Sequence, residues 1–205
     1  MSKAERSDAL VLFGATGDLA RKKLYPALYH LTAEGRLRIP VIGVAAAGWD
    51  DDKLRGYATE AIQAGVENPD PAAVEQLTTN LSLVNGDYRD QATFKRLAEV
   101  LKKDRSERPL HYLAIPPSLF ETVVQGLAAV GLDKGARVVV EKPFGRDLAS
   151  AQELNRVLHQ VFPERAIFRI DHYLGRSPSR TSWCSGSPTV CSSRSGTAAT
   201  SPASR

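Results

Sequence analysis

The sequence predicts an α/β fold built on a doubly wound parallel sheet, and three observations carry that prediction. Up to about residue 170, short aliphatic runs alternate with longer segments of helical period, the pattern of successive βαβ units. The first such run leads directly into a glycine-bearing turn and then a helical stretch, the junction such sheets use to receive phosphate groups. Beyond Gly175 the apolar periodicity stops, and ten of the last thirty residues are serine.

The strands are expected at Ala9 to Phe13, Val41 to Ala45, Leu81 to Val84, His111 to Ile115, Arg137 to Val140 and Ala166 to Arg169. These runs are of strand length and mostly bounded by Gly, Pro or Asp, as fully buried parallel strands should be. The crossover helices are expected at Leu19 to Ala33, Asp50 to Ala64, Gln91 to Lys103, Ser118 to Ala129 and Asp147 to Val161, where apolar residues recur at three- and four-residue spacing. Ser118 with Glu121 has the spacing of a capping box, and Gly131 stands where a helix C-terminus favours glycine. The segment Gly65 to Pro71 reads as a surface loop. The resulting organisation is a flexible N-terminus at 1–7, a dinucleotide-binding domain of Rossmann-like type at 8–175, and a disordered Ser/Arg-rich tail at 176–205.

Composition narrows the functional classes. With 42% hydrophobic and 24% charged residues, the chain is that of an ordinary globular protein. No apolar run reaches the roughly 20 residues needed to span a bilayer, and the polar start lacks a signal-peptide pattern. Neither a membrane nor an export route is expected, so the expected location is cytoplasmic. The net charge of +4 belongs to the tail, which holds four arginines and no acidic residue. A neutral body and one Trp among scattered tail arginines speak against a nucleic-acid partner. Both cysteines, Cys184 and Cys191, also lie in the tail, without a nearby His to complete a metal site.

The turn after the first strand is Gly14-Ala15-Thr16-Gly17-Asp18-Leu19. Glycines there let the backbone approach a pyrophosphate, whose charge the free N–H groups of the following helix can receive. The spacing is not the common G-x-G-x-x-G, so its position at the first turn of a doubly wound sheet gives it meaning.

Together with Ala20 and the run Lys22-Lys23-Leu24-Tyr25-Pro26, this loop resembles the nucleotide loop of glucose-6-phosphate dehydrogenases. Glu141-Lys142-Pro143-Phe144-Gly145 and Arg169-Ile170-Asp171-His172-Tyr173-Leu174-Gly175 resemble two later segments of the same family, in the same order. The resemblance covers residues 8 to 175. It implies oxidation of glucose 6-phosphate to its lactone, with hydride passing to NADP and a proton to a histidine base. It further implies that Gly14, Ala15, Thr16, Gly17, Asp18 and Leu19 hold the pyrophosphate, and that Asp87 and Tyr88 pack near the adenosine half. Lys142 would order both the nicotinamide ribose and the sugar, beside a proline turn at Ile115-Pro116-Pro117. His172 and Tyr173 would hold the sugar phosphate, and Asp171 would orient the base. Many members carry an arginine after the second strand for the adenosine 2′-phosphate, where this chain has Ala46. With no acidic residue ending that strand either, NADP is implied and NAD stays open, with Arg21, Lys22 or Lys23 as substitutes for the missing cation.

The family continues past the glycine with Lys-Glu, whereas this chain has Arg176-Ser177. Read one nucleotide out of phase, permitted codons for the tail yield a continuation like the family's, so a frame change at Gly175 is expected. The expected product is an inactive fragment that lacks the base histidine and all but the start of a second, α+β domain. It is not expected to form the oligomers of full-length members. The alternative is a non-catalytic NADP-binding remnant.

Overall fold

The computed structural model describes residues 6–142 and 148–170. Six parallel strands form one sheet: β1 (Ala9–Phe13), β2 (Val41–Ala45), β3 (Leu81–Asn85), β4 (Pro109–Leu113), β5 (Arg137–Glu141) and β6 (Ile167–Ile170). Their order is β3-β2-β1-β4-β5-β6. The chain winds outward from β1 in one direction and then returns to wind in the other, which places a switch point between β1 and β4. Leu10 pairs with Val41 on one side and Leu110 on the other.

The helices are α1 (Tyr25–Ala33), α2 (Asp51–Gly65), α3 (Pro71–Thr79), α4 (Gln91–Lys103), α5 (Phe120–Ala129) and α6 (Leu148–Val161). Alternation along β1 sorts its side chains between two cores. Ala9, Val11 and Phe13 join Phe94, Phe120 and Phe162 under α4, α5 and α6. Leu10 and Leu12 join Tyr25, Leu54, Ile62 and Leu77 under α1, α2 and α3. All five residues of β1 are buried, as expected for a central strand with both faces covered. No described helix is long and apolar enough to cross a membrane.

Four features depart from the sequence expectation, each for a local reason. The segment expected as a surface loop ends at a helix of 9 residues that was not expected: Pro71 opens α3, with the Asp70 carboxylate accepting from the Ala72 N–H at 3.1 Å. Proline at the first helical position has no N–H to waste there, so it begins this helix instead of excluding it. β4 lies two residues earlier than expected, because the Ala114 N–H still reaches the Phe13 carbonyl (3.0 Å) but Pro116 has no donor to continue a ladder. The Ser118 and Glu121 box does not form. A 3-10 turn at Pro117–Leu119 precedes α5, whose cap position is Leu119 without a side-chain bond, and Glu121 instead accepts from Gln125. Finally, the expected continuous first helix opens into a π-helical turn at Ala20–Leu24, the Tyr25 N–H reaching back to the Ala20 carbonyl. The wider turn comes just before Pro26, whose ring would crowd the carbonyl four residues back in a regular helix.

Candidate functional site

The carboxyl ends of β1, β2, β4 and β5 bring together most of the described candidate residues. Gly14 follows β1 with φ +81°, and a Cβ there would collide with the Ala114 carbonyl after β4. Only glycine allows the two loops to meet this closely across the switch point. The Gly17 N–H bonds the Gly14 carbonyl (2.9 Å), closing the turn, and the Arg21 N–H bonds the Gly17 carbonyl (3.0 Å), opening the helix. The N–H groups of Asp18, Leu19 and Ala20 therefore precede the first helical bond, the position at which helices receive anions.

Tyrosine hydroxyls hold this loop from behind. The buried Tyr25 donates to the Ala15 carbonyl (2.7 Å), and Tyr57 of α2 donates to the Thr16 carbonyl (3.0 Å). Tyr88 donates to the Val44 carbonyl and accepts from the Gly14 N–H, both at 2.9 Å. With the Ala15 and Thr16 carbonyls so engaged and the Gly14 and Gly17 N–H groups closing the turn, the N–H groups of Asp18 to Ala20 are the ones left for a ligand. Burial pushes the Tyr88 hydroxyl up to about 12, even though the Gly14 N–H pulls the other way, and burial also raises Tyr25. Both stay neutral at physiological pH and add no negative charge to an anion site.

The second candidate at this position behaves differently from Tyr88. Asp87 is exposed and accepts from the Arg89 N–H at 2.9 Å, shaping the loop after β3. Asp18 is exposed and pairs with Lys22 at 3.2 Å.

The Tyr112 hydroxyl of β4 donates to the Glu141 carboxylate at the end of β5. Burial, joined by that carboxylate, raises the Tyr112 hydroxyl. This contact fixes the strand end from which Lys142 leads on, its side chain exposed. Lys142 stands two strands from β1 on the same edge of the sheet as Thr16, about 10 Å across at ordinary strand spacing. Asp171, His172 and Tyr173, with Pro143 to Gly145, lie outside the described residues.

Beside the loop, on the β2 side, four side chains stack in series. The Arg21 guanidinium lies 5.2 Å from the Tyr57 ring centre, Tyr57 meets Trp49 edge-on at 5.1 Å, and the Lys53 ammonium lies 5.0 Å from the Trp49 ring. Sequence reasoning included Tyr25 in a motif without giving it a role, and had no means to find Tyr57 or Tyr112. Each of the three reaches a partner by its hydroxyl over 10 to 41 positions, and such a reach leaves no periodic signal.

Known proteins similar in sequence share this fold. The family described as "Glucose-6-phosphate dehydrogenase, NAD binding domain" matches residues 11–179. The chain is 46% identical over 172 residues to glucose-6-phosphate 1-dehydrogenase 1 of Mycobacterium bovis, covering 84% of this chain and 36% of that protein. It is 42% identical over 179 residues to glucose-6-phosphate 1-dehydrogenase of Dickeya dadantii, covering 85% and 36%. The solved glucose-6-phosphate 1-dehydrogenase of Mycobacterium avium superposes with a TM-score of 0.79 at 47% identity, over 84% of this chain and 38% of that one. A glucose-6-phosphate dehydrogenase in complex with its substrate glucose-6-phosphate gives 0.75 at 34%, over 86% and 39%. The chain thus spans a little over a third of the length of the curated relatives it matches.

Proposed function

Since the chain belongs to the glucose-6-phosphate dehydrogenase family through its NAD-binding domain, we propose that it forms the cofactor-binding part of an NADP-linked oxidoreductase acting on glucose 6-phosphate. The observation that carries this reading is the meeting of Gly14 with the Ala114 carbonyl at the switch point, beside the unengaged first-turn N–H groups of Asp18 to Ala20. A dinucleotide fits there with its pyrophosphate over Gly14 to Leu19 and its nicotinamide towards Lys142. Lys142 would orient the nicotinamide ribose and the sugar together. His172 and Tyr173 would donate to the sugar phosphate, and Asp171 would set the tautomer of a histidine base.

For the 205 residues by themselves, the reading is cofactor binding without turnover. Among the described histidines, His30 lies on α1, His111 is fully buried in β4, and His159 on α6 pairs with Glu164. None of the three stands on a loop at the carboxyl edge, where a base for the sugar hydroxyl is required. Losing a general base costs on the order of 10² to 10⁴ in rate.

Titration with NADP tests the binding half of the proposal. Trp49 sits beside the loop, so in a Trp183→Phe background its fluorescence should change saturably. An unchanged signal together with no calorimetric heat would overturn the reading. Sustained NADPH formation from glucose 6-phosphate by the purified chain would overturn the absence of turnover.

A further inference from the structure

We propose that Arg21 and Lys53, mounted on the stacked rings of Tyr57 and Trp49, read the adenosine 2′-phosphate in this protein and so set its preference for NADP over NAD. The inference rests on the dinucleotide reading above and adds to it the residues that select the cofactor. A dinucleotide seated on the Gly14 loop extends its adenosine half towards the end of β2. That strand ends at Ala45 and is followed by exposed Ala46, which brings no charge.

The ring stack flanks this position and is tied to the loop itself, because the Tyr57 hydroxyl donates to the Thr16 carbonyl. Its two ends are cations. Arg21 is held on the Tyr57 face, and its one carboxylate neighbour among the described residues, Glu60, is 3.7 Å away with both side chains largely in solvent. Pairs of that kind contribute little, so the guanidinium can turn to a phosphate at small cost. Lys22, by contrast, is drawn to Asp18.

Lys53 carries an independent mark. It lies in the first turn of α2, where the helix dipole disfavours a cation. It has no carboxylate partner among the described residues and rests on Trp49. The nearby acidic groups are occupied: Asp50 accepts from the Lys53 N–H (2.9 Å), Asp51 accepts from the Leu83 N–H (2.7 Å), and Asp52 pairs with Arg55 (3.3 Å). The Gly48 N–H bonds the Asn85 side chain (3.2 Å), which holds the loop between β2 and Trp49 in place.

Calorimetric titration of the full chain with NADP and with NAD tests the assignment. The proteins are the wild type, Arg21→Gln, Lys53→Gln and, as a charge control, Lys95→Gln on the exposed face of α4. The wild type should bind NADP more tightly than NAD. Each of the first two variants should weaken NADP about tenfold, the scale of one lost charged contact, with the NAD affinity and the thermal midpoint unchanged. The control should leave both affinities as they are. Equal weakening of the two nucleotides, no weakening, or a wild type indifferent to the 2′-phosphate would each overturn the assignment while leaving the dinucleotide site intact. A wild type that binds neither nucleotide would overturn the underlying reading, and this inference with it.

Discussion

The two edges of the sheet are tied down by different chemistry. At the amino edge, one carboxylate gathers the loop before β4: Asp8 accepts from the Ser106 hydroxyl (2.6 Å), the Glu107 N–H (2.9 Å) and the Arg108 N–H (3.0 Å). At the carboxyl edge the corresponding work falls to the hydroxyls of Tyr25, Tyr57 and Tyr88. A carboxylate makes stronger hydrogen bonds than a neutral hydroxyl, but beside an anion site its charge would repel the ligand. The loop that only has to be stable is gathered by a charge, and the loop proposed to bind phosphate is held by neutral hydroxyls.

The largest expected effect comes from breaking the carboxyl edge at its tightest point. Gly14→Val places a side chain against the Ala114 carbonyl in a left-handed backbone. Strain of that kind costs on the order of 1–3 kcal/mol before any clash. Dinucleotide binding should be abolished in titration, and urea denaturation should show the loss of stability. A variant that still binds NADP normally would refute the close-approach argument.

Between the edges, His111 of β4 makes stability depend on pH. It is fully buried, and burial pushes it down to about 4 although its bond to the Leu132 carbonyl pulls upward. Below its ordinary 6.5 the unfolded chain takes up a proton that the folded imidazole refuses until about pH 4. Stability should therefore fall as pH drops from 6.5 to 4, by about 3 kcal/mol, and this contribution should level off below that. Denaturation curves at several pH values measure the fall, and an imidazole already charged in the folded protein at pH 5.5, seen by NMR, would contradict it.

Asp8 gives the next effect and belongs wholly to the amino edge. Partial burial would raise its carboxyl, but the bonds from Ser106, Glu107 and Arg108 outweigh that and hold it below its ordinary 3.8. Its contribution is present above pH 3.8 and is lost as pH falls through the lowered value. Asp8→Ala should cost about 2 kcal/mol at neutral pH and leave the affinity for NADP unchanged. A parallel loss of affinity would show that the two edges are not independent.

Much of this division was legible in the sequence. The strands β1 and β2 and the helix α4 stand where their aliphatic and amphipathic runs place them, because burial on one or both faces prints a period into the chain. The Gly14 loop was legible for the same reason that it works, since a left-handed residue at a close approach must be glycine. The helix opened by Pro71 was not, because one dipeptide both ends a loop and starts a helix. The hydroxyl ties were not either: a tyrosine at 57 satisfies the apolar face of α2 whether or not its oxygen reaches Thr16. Position 46 was legible as lacking a cation. Arg21 stood among the substitutes that the sequence offered, but Lys53 became visible only once the π-helical turn and α2 were laid together, with Arg21 on one and Lys53 on the other.

The smallest expected effect sharpens the comparison most, because it separates holding a fold from holding a ligand. Tyr57→Phe keeps the ring on which Arg21 and Trp49 rest and removes only the bond to the Thr16 carbonyl. A single neutral hydrogen bond at a half-buried site contributes about 1 kcal/mol, so the thermal midpoint should move by a few degrees at most. The freed Thr16 carbonyl can turn towards the phosphates, and the loop loses part of its preorganisation. Both effects weaken NADP and NAD alike, by about fivefold on the scale of one such bond. That common loss is the opposite of the selective loss expected for Arg21→Gln, and calorimetry on the two variants distinguishes them. If Tyr57→Phe lowered stability as much as Asp8→Ala and left both affinities untouched, the carboxyl edge would be scaffold of the same kind as the amino edge. The contrast between charged and neutral ties would then have no connection with an anion.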